Sequence, residues 1–529
     1  MNPDLVVCAG TVHTLAGGGR PAEAIAITGG VVTALGERRD VRDWRGSRTE
    51  VVDLGDATVT PGLTDGHLHP VMGLQLTADV DLSAARSLAE VRRALAAAAA
   101  DRAPDAWVQA WGLDPNVFGG GPVTAAPIEA AVGGRPAFVR LFDAHSALAT
   151  PAALRIAGVA GPRRFAQRSS VVCDGSGRPT GLLLESAAMD LVTAHVPGEP
   201  VAVRAARLHA LLAEMAATGL TGGHVMDLLG DSAAVVAAAE DLGDLPLRLR
   251  FAPWCEPGAD PAELIPGQGT GGRRWRIAGV KFFVDGTIDN GTAWLEEPDA
   301  HGESTESFWT DPAEFTKAVH TLAAAGIPTA THAIGDAAVR HALETLEGAA
   351  PAAAPHRIEH LETLPTDLIA RFRRAGVVAS MQPAHSHFTR ADHTDNWSSR
   401  LGGERANRAW RCRDLRDAGV PVVLGSDWPI APFDPRRTLA AARLRRPAGA
   451  PEIPPVQPDQ ALTALMALEG YTTLAAAAAG ERGGIRVGGH AGLTAFTLDP
   501  LRAAPDELAE APIALTVVDG TVVHRGPSC

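Results

Sequence analysis

Pro61-Gly62-Leu63-Thr64-Asp65-Gly66-His67-Leu68-His69-Pro70 is the stretch on which the reading of this chain turns. Ala57 to Leu63 is rich in β-branched and apolar side chains, the composition of a strand. His67 and His69 follow two residues apart, and on a strand such residues point to one face. Their Cα atoms then stand about 6–7 Å apart, which suits two ligands of one divalent ion. The pair alone decides nothing, because 18 histidines in 529 residues produce such pairs by chance. His385-Ser386-His387 is a second one.

Seven further apolar stretches extend the pattern, each followed by a helical tract: Leu220–Met226, Leu247–Ala252, Gly279–Val284, Pro328–His332, Arg357–His360, Val377–Met381 and Val422–Ser426. With Val59–Asp65 they make eight. Helical periodicity is plain in Pro312–Ala325 and Ala337–Glu347. Eight strands alternating with helices predict an α/β chain, a (β/α)8 TIM barrel over residues 57–482. No glycine-rich phosphate loop follows any of these strands. Residues 70–219 read as an insertion after the first strand. It holds strand-like pieces at Trp107–Trp111, Ala137–Leu141 and Gly181–Leu184 and a helical tract at Leu88–Ala100. An insertion at the catalytic end of a barrel is expected to cap the site. The two ends, 1–56 and 483–529, read as short strands joined by turns, among them Gly17-Gly18-Gly19, Gly29-Gly30 and Asp519-Gly520. They predict one small β-sandwich domain built from both termini.

Composition narrows the function. Hydrophobic residues at 46% and charged residues at 20% are those of a globular chain. A net charge of −14 argues against a general nucleic-acid binder, which needs a basic surface. No run of about 18 apolar residues exists to span a membrane. Five scattered cysteines without a CxxC pair give neither a disulfide framework nor a zinc ribbon. Together with an N-terminus lacking a signal-peptide pattern, they lead us to expect a cytoplasmic protein. The alanine tracts at Ala96–Ala100 and Ala475–Ala479 read as helix, and the arginines of Arg436–Arg446 as a solvated helix face. The partner expected is a small-molecule substrate.

Barrel enzymes carry their chemistry at the C-terminal ends of the strands. Reading those ends collects His67, His69, His332, His360 and Asp427, with Lys281 inside the apolar run Gly279–Val284. Each has an ordinary alternative: His332 as a core histidine, Asp427 as a helix cap, Lys281 as a surface lysine. An unpaired ammonium in an apolar strand is costly, however, and the joint placement points to a site.

The phrases PGLTDGHLHP, VKFFVDGTID, THAIGD, RIEHLE, MQPAH and GSDWPI occur in that order over residues 61–430. In them the chain resembles the amidohydrolase superfamily, in its YtcJ-like branch, which includes N-substituted formamide deformylases. The resemblance implies two divalent metal ions, zinc being the commonest for such N/O ligands. His67 and His69 would hold the first. Lys281, carboxylated by CO2 to a carbamate, would bridge the two, and His332 and His360 would hold the second. Asp427 would ligate the first metal and act as general base. Two cations bring the pKa of a shared water towards ~7 or below. Asp427 would pass the proton to the leaving nitrogen.

The expected reaction is hydrolysis of a C–N amide-type bond in an N-formyl or N-acyl small molecule. Deamination, decarboxylation or isomerisation at the same site, or a scaffold without catalysis, are the alternatives. Branch resemblance adds His145 and Glu185 as substrate contacts. Trp111, Phe283, Trp294 and Trp428, with Gln382 beside them near strand ends or in the cap, would suit an apolar or aryl substituent, and His385, following the seventh strand, is a further candidate for substrate contact. Relatives often dimerise, so a homodimer is expected by analogy. One departure stands out: where relatives read D-G-S-L-G-S-R-T-A, this chain has Asp285-Gly286-Thr287-Ile288-Asp289-Asn290-Gly291-Thr292-Ala293, with the arginine gone.

Overall fold

Where the sequence predicts one strand at Val59–Asp65, the chain forms two. In a computed structural model, which describes residues 2–17 and 22–526, Thr58–Pro61 pairs with Leu493–Phe496 and with Thr11–Val12. Leu63–Leu68, here β1, belongs to a different sheet. Gly62 makes the step between them. Its N–H donates to Gly492 O at 2.8 Å. A Cβ there would lie 2.3 Å from Thr221 Oγ1, so only glycine lets the two sheets approach this closely. Gly18 and Gly19 of the expected turn, and Cys529, lie outside the described residues.

Both ends of the chain contribute to one mixed sheet of eight strands. Leu5–Val12 pairs antiparallel with Ala22–Thr28 and parallel with Glu50–Asp53 and Thr58–Pro61. Ile513–Val518 and Thr521–Arg525 form the hairpin turned at Asp519-Gly520 and extend the sheet through Leu493–Phe496. The apolar face mixes residues from both termini, Ile25, Ile27 and Val59 against Leu493, Leu515 and Val517.

The middle of the chain holds two all-parallel sheets. The first orders Trp275–Ile277, β3 (Arg248–Phe251), β2 (Leu220–Val225) and β1. The second runs β4 (Val280–Phe283), β5 (Thr329–Ala333), β6 (Arg357–His360), β7 (Val378–Met381) and β8 (Val422–Leu424). Backbone bonds also join the sheets at both edges. Lys281 N donates to Pro253 O at 2.9 Å beyond β3; Asp427 N donates to His67 O at 2.7 Å, and His69 N to Trp428 O at 3.0 Å, beyond β8. Helices such as Pro312–Ala324 and Asp336–Glu347 connect consecutive strands and bury one apolar face each. The strands are buried on both faces, so they read as apolar runs rather than alternating ones.

The insertion builds a six-stranded sheet from residues 80 to 184 with its own core around Val91, Leu95, Val108 and Val139. Its helix at Leu88–Ala100 is N-capped by Ser87, whose side chain accepts from Glu90 N. Of the arginines of residues 436–446 only Arg437 stands on a solvated face. The helix Pro435–Leu444 packs on Pro505–Glu510, Arg446 pairs with Asp506 at 2.9 Å, and Arg445 is 1% exposed, donating to Val456 O. Their fork-shaped donors satisfy neighbouring carboxylates and carbonyls, which a charge count cannot show. Cys8, Cys173, Cys255 and Cys412 are all free thiols. Among the described residues no helix is long and apolar enough to cross a membrane.

Candidate metal centre

His67 ends β1 fully buried, and its two ring nitrogens have different neighbours. Nδ1 donates to Glu359 Oε2 at 2.7 Å, while Nε2 is buried with no hydrogen-bond partner, 3.5 Å from Asp427 Oδ1. His69 repeats the arrangement: Nδ1 donates to Asp227 Oδ2 at 2.6 Å and Nε2 lies 3.2 Å from the same Asp427 oxygen. A carboxylate behind each imidazole fixes the tautomer that leaves Nε2 free to ligate. Asp65 aligns the strand ends. Its carboxylate accepts from His67 N and Ser426 N, both at 3.0 Å, tying β1 to the segment after β8. Gly425 permits this, since a Cβ there would lie 2.5 Å from His67 N.

The second oxygen of Asp427 faces two more histidines. Oδ2 is 3.8 Å from His360 Nδ1 and 3.7 Å from His385 Nε2, the latter also buried without a partner. Two groups able to hold an ion therefore share Asp427: His67, His69 and Asp427, and His360, His385 and Asp427. Unpartnered buried imidazole nitrogens converging on one carboxylate are the donor set of a borderline divalent metal. His332 belongs to neither group; its Nε2 donates to Gly286 O at 3.0 Å and its ring stands 4.5 Å from that of His360. His360 and Asp427 both adopt left-handed backbone, φ 75° and 58°, strained geometry of the kind that functional sites retain.

Burial opposes ionisation of Asp427, but the surrounding histidines hold its carboxyl well below the usual range. Burial and the nearby Lys281 bring His67 down to about 4. Burial also works against a charge on His69, yet Asp227 and Asp427 outweigh it and raise it to about 9. Lys281, 1% exposed, has its Nζ 4.9 Å from the centroid of the Phe283 ring, and burial lowers its pKa to about 8.

These groups open into a cavity of about 690 Å³. The insertion supplies part of its wall through Phe138, Arg140, Asp143, His145 and Glu185. His145 Nδ1 donates to Glu185 Oε2 at 2.8 Å, and its ring lies 5.1 Å from His332 and 6.1 Å from Phe283. His145, Glu185, Phe283 and His385 thus line the cavity together with all six expected ligands.

Trp111, Gln382, Trp428 and Trp294 do not line it. Trp111 stands in a strand of the insertion beside Asp81. Gln382 is fully buried beyond β7. Trp428 packs over Gly73, where a Cβ would meet its ring at 2.2 Å, and Trp294 packs against His341. Proximity to a strand end in sequence does not set which way a side chain points. The missing arginine also has a structural correlate. Gly291 has φ 69°, and a Cβ would lie 2.3 Å from Glu303 Oε2 and 2.8 Å from Arg400 Nη1.

The residues that sequence reasoning passed over are Glu359 and Asp227. Both were visible as acids inside or at the end of apolar strands, where an uncompensated carboxylate is costly and demands a partner.

Residues 50–524 match the model of the amidohydrolase family, and the chain belongs to that family. Within it the chain falls in the YtcJ-like branch. It is 28% identical to YtcJ of Bacillus subtilis (strain 168), covering 98% of both chains. It is 27% identical to the N-substituted formamide deformylase of Arthrobacter pascens, covering 99% of this chain and 98% of that one. In fold it resembles an uncharacterised metal-dependent hydrolase from Pyrococcus horikoshii OT3, with a TM-score of 0.72 at 24% identity over 95% of this chain and 99% of that one.

Proposed function

We propose that the protein is a metal-dependent hydrolase that cleaves a C–N amide-type bond in an N-formyl or N-acyl small molecule. The observation that carries this is the convergence of His67 Nε2 and His69 Nε2 on Asp427, each imidazole backed by a buried carboxylate. The relationship to a formamide deformylase supports the bond type. In this reading the two parallel sheets, bonded to each other at both edges, form one (β/α)8 barrel with the site at the C-terminal ends of its strands. The sheet of the two termini is a separate β unit beside it.

His67, His69 and Asp427 would hold one ion. His360, with His385 or His332, would hold a second, and Lys281 as a carbamate would join them. Zinc suits these donors. The depressed Lys281 pKa favours the carbamate, because only a neutral amine attacks CO2; at a pKa of about 8 roughly a tenth of it is neutral at pH 7. When bound, the metals supply Lewis acidity towards the carbonyl and acidify the attacking water.

The chain's own groups do the rest. Asp427 accepts the water proton and returns it to the departing nitrogen. His145, oriented by Glu185, donates from its other ring nitrogen to the carbonyl oxygen as negative charge develops there. Phe283 and Phe308 give the body of the substrate an apolar wall.

The test is a panel of N-formyl, N-acetyl and cyclic amides assayed for released amine, together with a metal count on the purified protein. Amine release with about two metal equivalents per chain supports the reading. No metal after reconstitution with CO2 and a divalent ion overturns it.

A further inference from the structure

We propose that the part of the cavity wall formed by Asp143, Asp289 and Glu362 selects substrates that carry a basic amine in addition to the bond being cleaved. The proposal rests on the hydrolytic reading above and adds the charge of the substrate to it.

The first observation is the charge of the cavity. Nine carboxylates line it against two arginines and one lysine, besides the histidines of the site. Of those three, Arg204 forms a bidentate pair with Asp231, and Lys281 lies on the metal side. Arg140 stacks 5.0 Å above Phe138.

The second is how the three acids are held. They come from separate segments: Asp143 from the insertion, Asp289 from the loop after β4, Glu362 from the loop after β6. The fold brings them together without pairing any of them to a lysine or arginine; the one cationic neighbour of Asp143 is His145, whose Nδ1 is engaged by Glu185. Asp143 accepts from Thr287 Oγ1 at 3.0 Å and from Asn290 Nδ2. Asp289 accepts from Asn396 Nδ2 at 2.8 Å, and Glu362 from Trp397 Nε1 at 2.7 Å. All of these donors are neutral. Arg400, whose charge acts on Asp289, is engaged by Asp299 at 2.7 Å and Glu303 at 3.0 Å. Burial, with Asp143 and Asp395 nearby, consequently raises Asp289 to about 7.

The third is unused hydrogen-bonding capacity in the same wall. Glu185 Oε1 is buried without a partner in a residue 3% exposed, and so is Trp410 Nε1 in a residue 2% exposed. Trp410 stacks on Trp397 with ring centroids 5.0 Å apart, and both rings line the cavity. Gathering like charges without compensation is unfavourable for the free protein. A protonated amine placed among them turns that repulsion into attraction, and the indole faces add cation–π stabilisation. Acids retained against their own repulsion in a cleft mark a ligand-recognition role.

The experiment has two arms, both on the metal-loaded enzyme. In the first, kcat/KM is compared for N-acetylcadaverine and its uncharged isostere N-hexylacetamide. In the second, binding of hexylamine and of hexan-1-ol, neither of which can be hydrolysed, is compared by calorimetry. The ammonium-bearing member of each pair should be favoured by about 10–100-fold, the worth of a charge-assisted bond in a dry site. Asp289→Asn and Glu362→Gln, made singly and checked for metal content and circular dichroism, should each lower that ratio about tenfold, whatever happens to the absolute rate. Equal treatment of the two members, or a preference that survives in both variants, overturns the proposal. Discrimination in binding with no hydrolysis of either amide leaves the subsite standing and removes N-acetyl amides from the amidase reading. Hydrolysis without discrimination does the reverse.

Discussion

Replacing Glu359 with glutamine tests whether His67 is held in place for a metal. Glu359 is fully buried and accepts from His67 Nδ1 at 2.7 Å and from Arg357 at 2.5 and 3.0 Å. Glutamine keeps the shape but has one carbonyl oxygen, and its NH2 must face either the imidazole N–H or the guanidinium. Donor then meets donor, and a buried donor left unsatisfied costs about 1–3 kcal/mol. Loss of such an outer carboxylate weakens metal binding about 10–100-fold, or 1.4–2.8 kcal/mol. Metal affinity would be read by competition with a chromophoric chelator, and the stability of the metal-free protein by urea unfolding; both should fall. Asp227→Asn supplies the contrast. Asp227 accepts from His69 through Oδ2, while its Oδ1 is buried without a partner and no arginine depends on it. That variant should lose metal affinity to a similar degree with a smaller loss of metal-free stability. If Glu359→Gln bound metal as tightly as the parent, the reading of His67 Nδ1 as a fixed donor and Nε2 as a ligand would fall.

Asp427→Asn should keep bound metal, by elemental analysis, but lower kcat about 10²–10⁴-fold, the range of a lost general base; near-full turnover would remove the assigned role. Lys281→Ala should reduce the metal count and abolish any gain in activity on adding bicarbonate. Gly66→Ala would place a Cβ 2.3 Å from Val423 Cγ1 and 2.7 Å from Leu424 O, so urea unfolding should show a loss of about 1–3 kcal/mol from overpacking. The raised pKa of Asp289, from 3.8 to about 7, means the folded protein holds this proton more tightly than the unfolded chain. Its stabilising contribution is complete below pH 3.8 and is lost as pH rises through about 7. Asp289→Asn removes that dependence, so its Tm relative to the parent, both metal-free, should increase from pH 5 to pH 8.

Much of the frame was legible because local signals agreed. The helices Leu88–Ala100 and Pro312–Ala324 carry their caps and periodicity in the sequence, and most of the strands β1–β8 are short, largely apolar runs. The split at Gly62 was hidden because β-branched and apolar residues continue on both sides of it, from Thr58 to Thr64; composition does not show a change of sheet partner. His385 illustrates a different limit. Its place in a short 3-10 turn after β7 gave no hint that the turn brings Nε2 to 3.7 Å from Asp427. Glu359 could have been inferred, since Arg357-Ile358-Glu359-His360 puts a charged pair on one face of a buried strand. Asp143, Asp289 and Glu362 could not, because segments more than 70 residues apart meet only in the folded chain.

The pairing of Thr58–Pro61 with Leu493–Phe496 has a consequence for the order of events on the ribosome. His67 and His69 emerge early, yet the strand directly preceding them, already paired with Thr11–Val12, finds its second neighbour only when almost the whole chain has been made. Thr494 completes the joint: its hydroxyl accepts from Leu63 N at 3.2 Å and donates to Gly219 O at 2.6 Å, bracing β1 against the turn that leads into β2. A nascent chain short of Leu493 carries both His67 and His69 but lacks the clasp that aligns them. A chain truncated before Leu493 should therefore bind metal more weakly than the full chain, although the deleted residues are not among the candidate ligands.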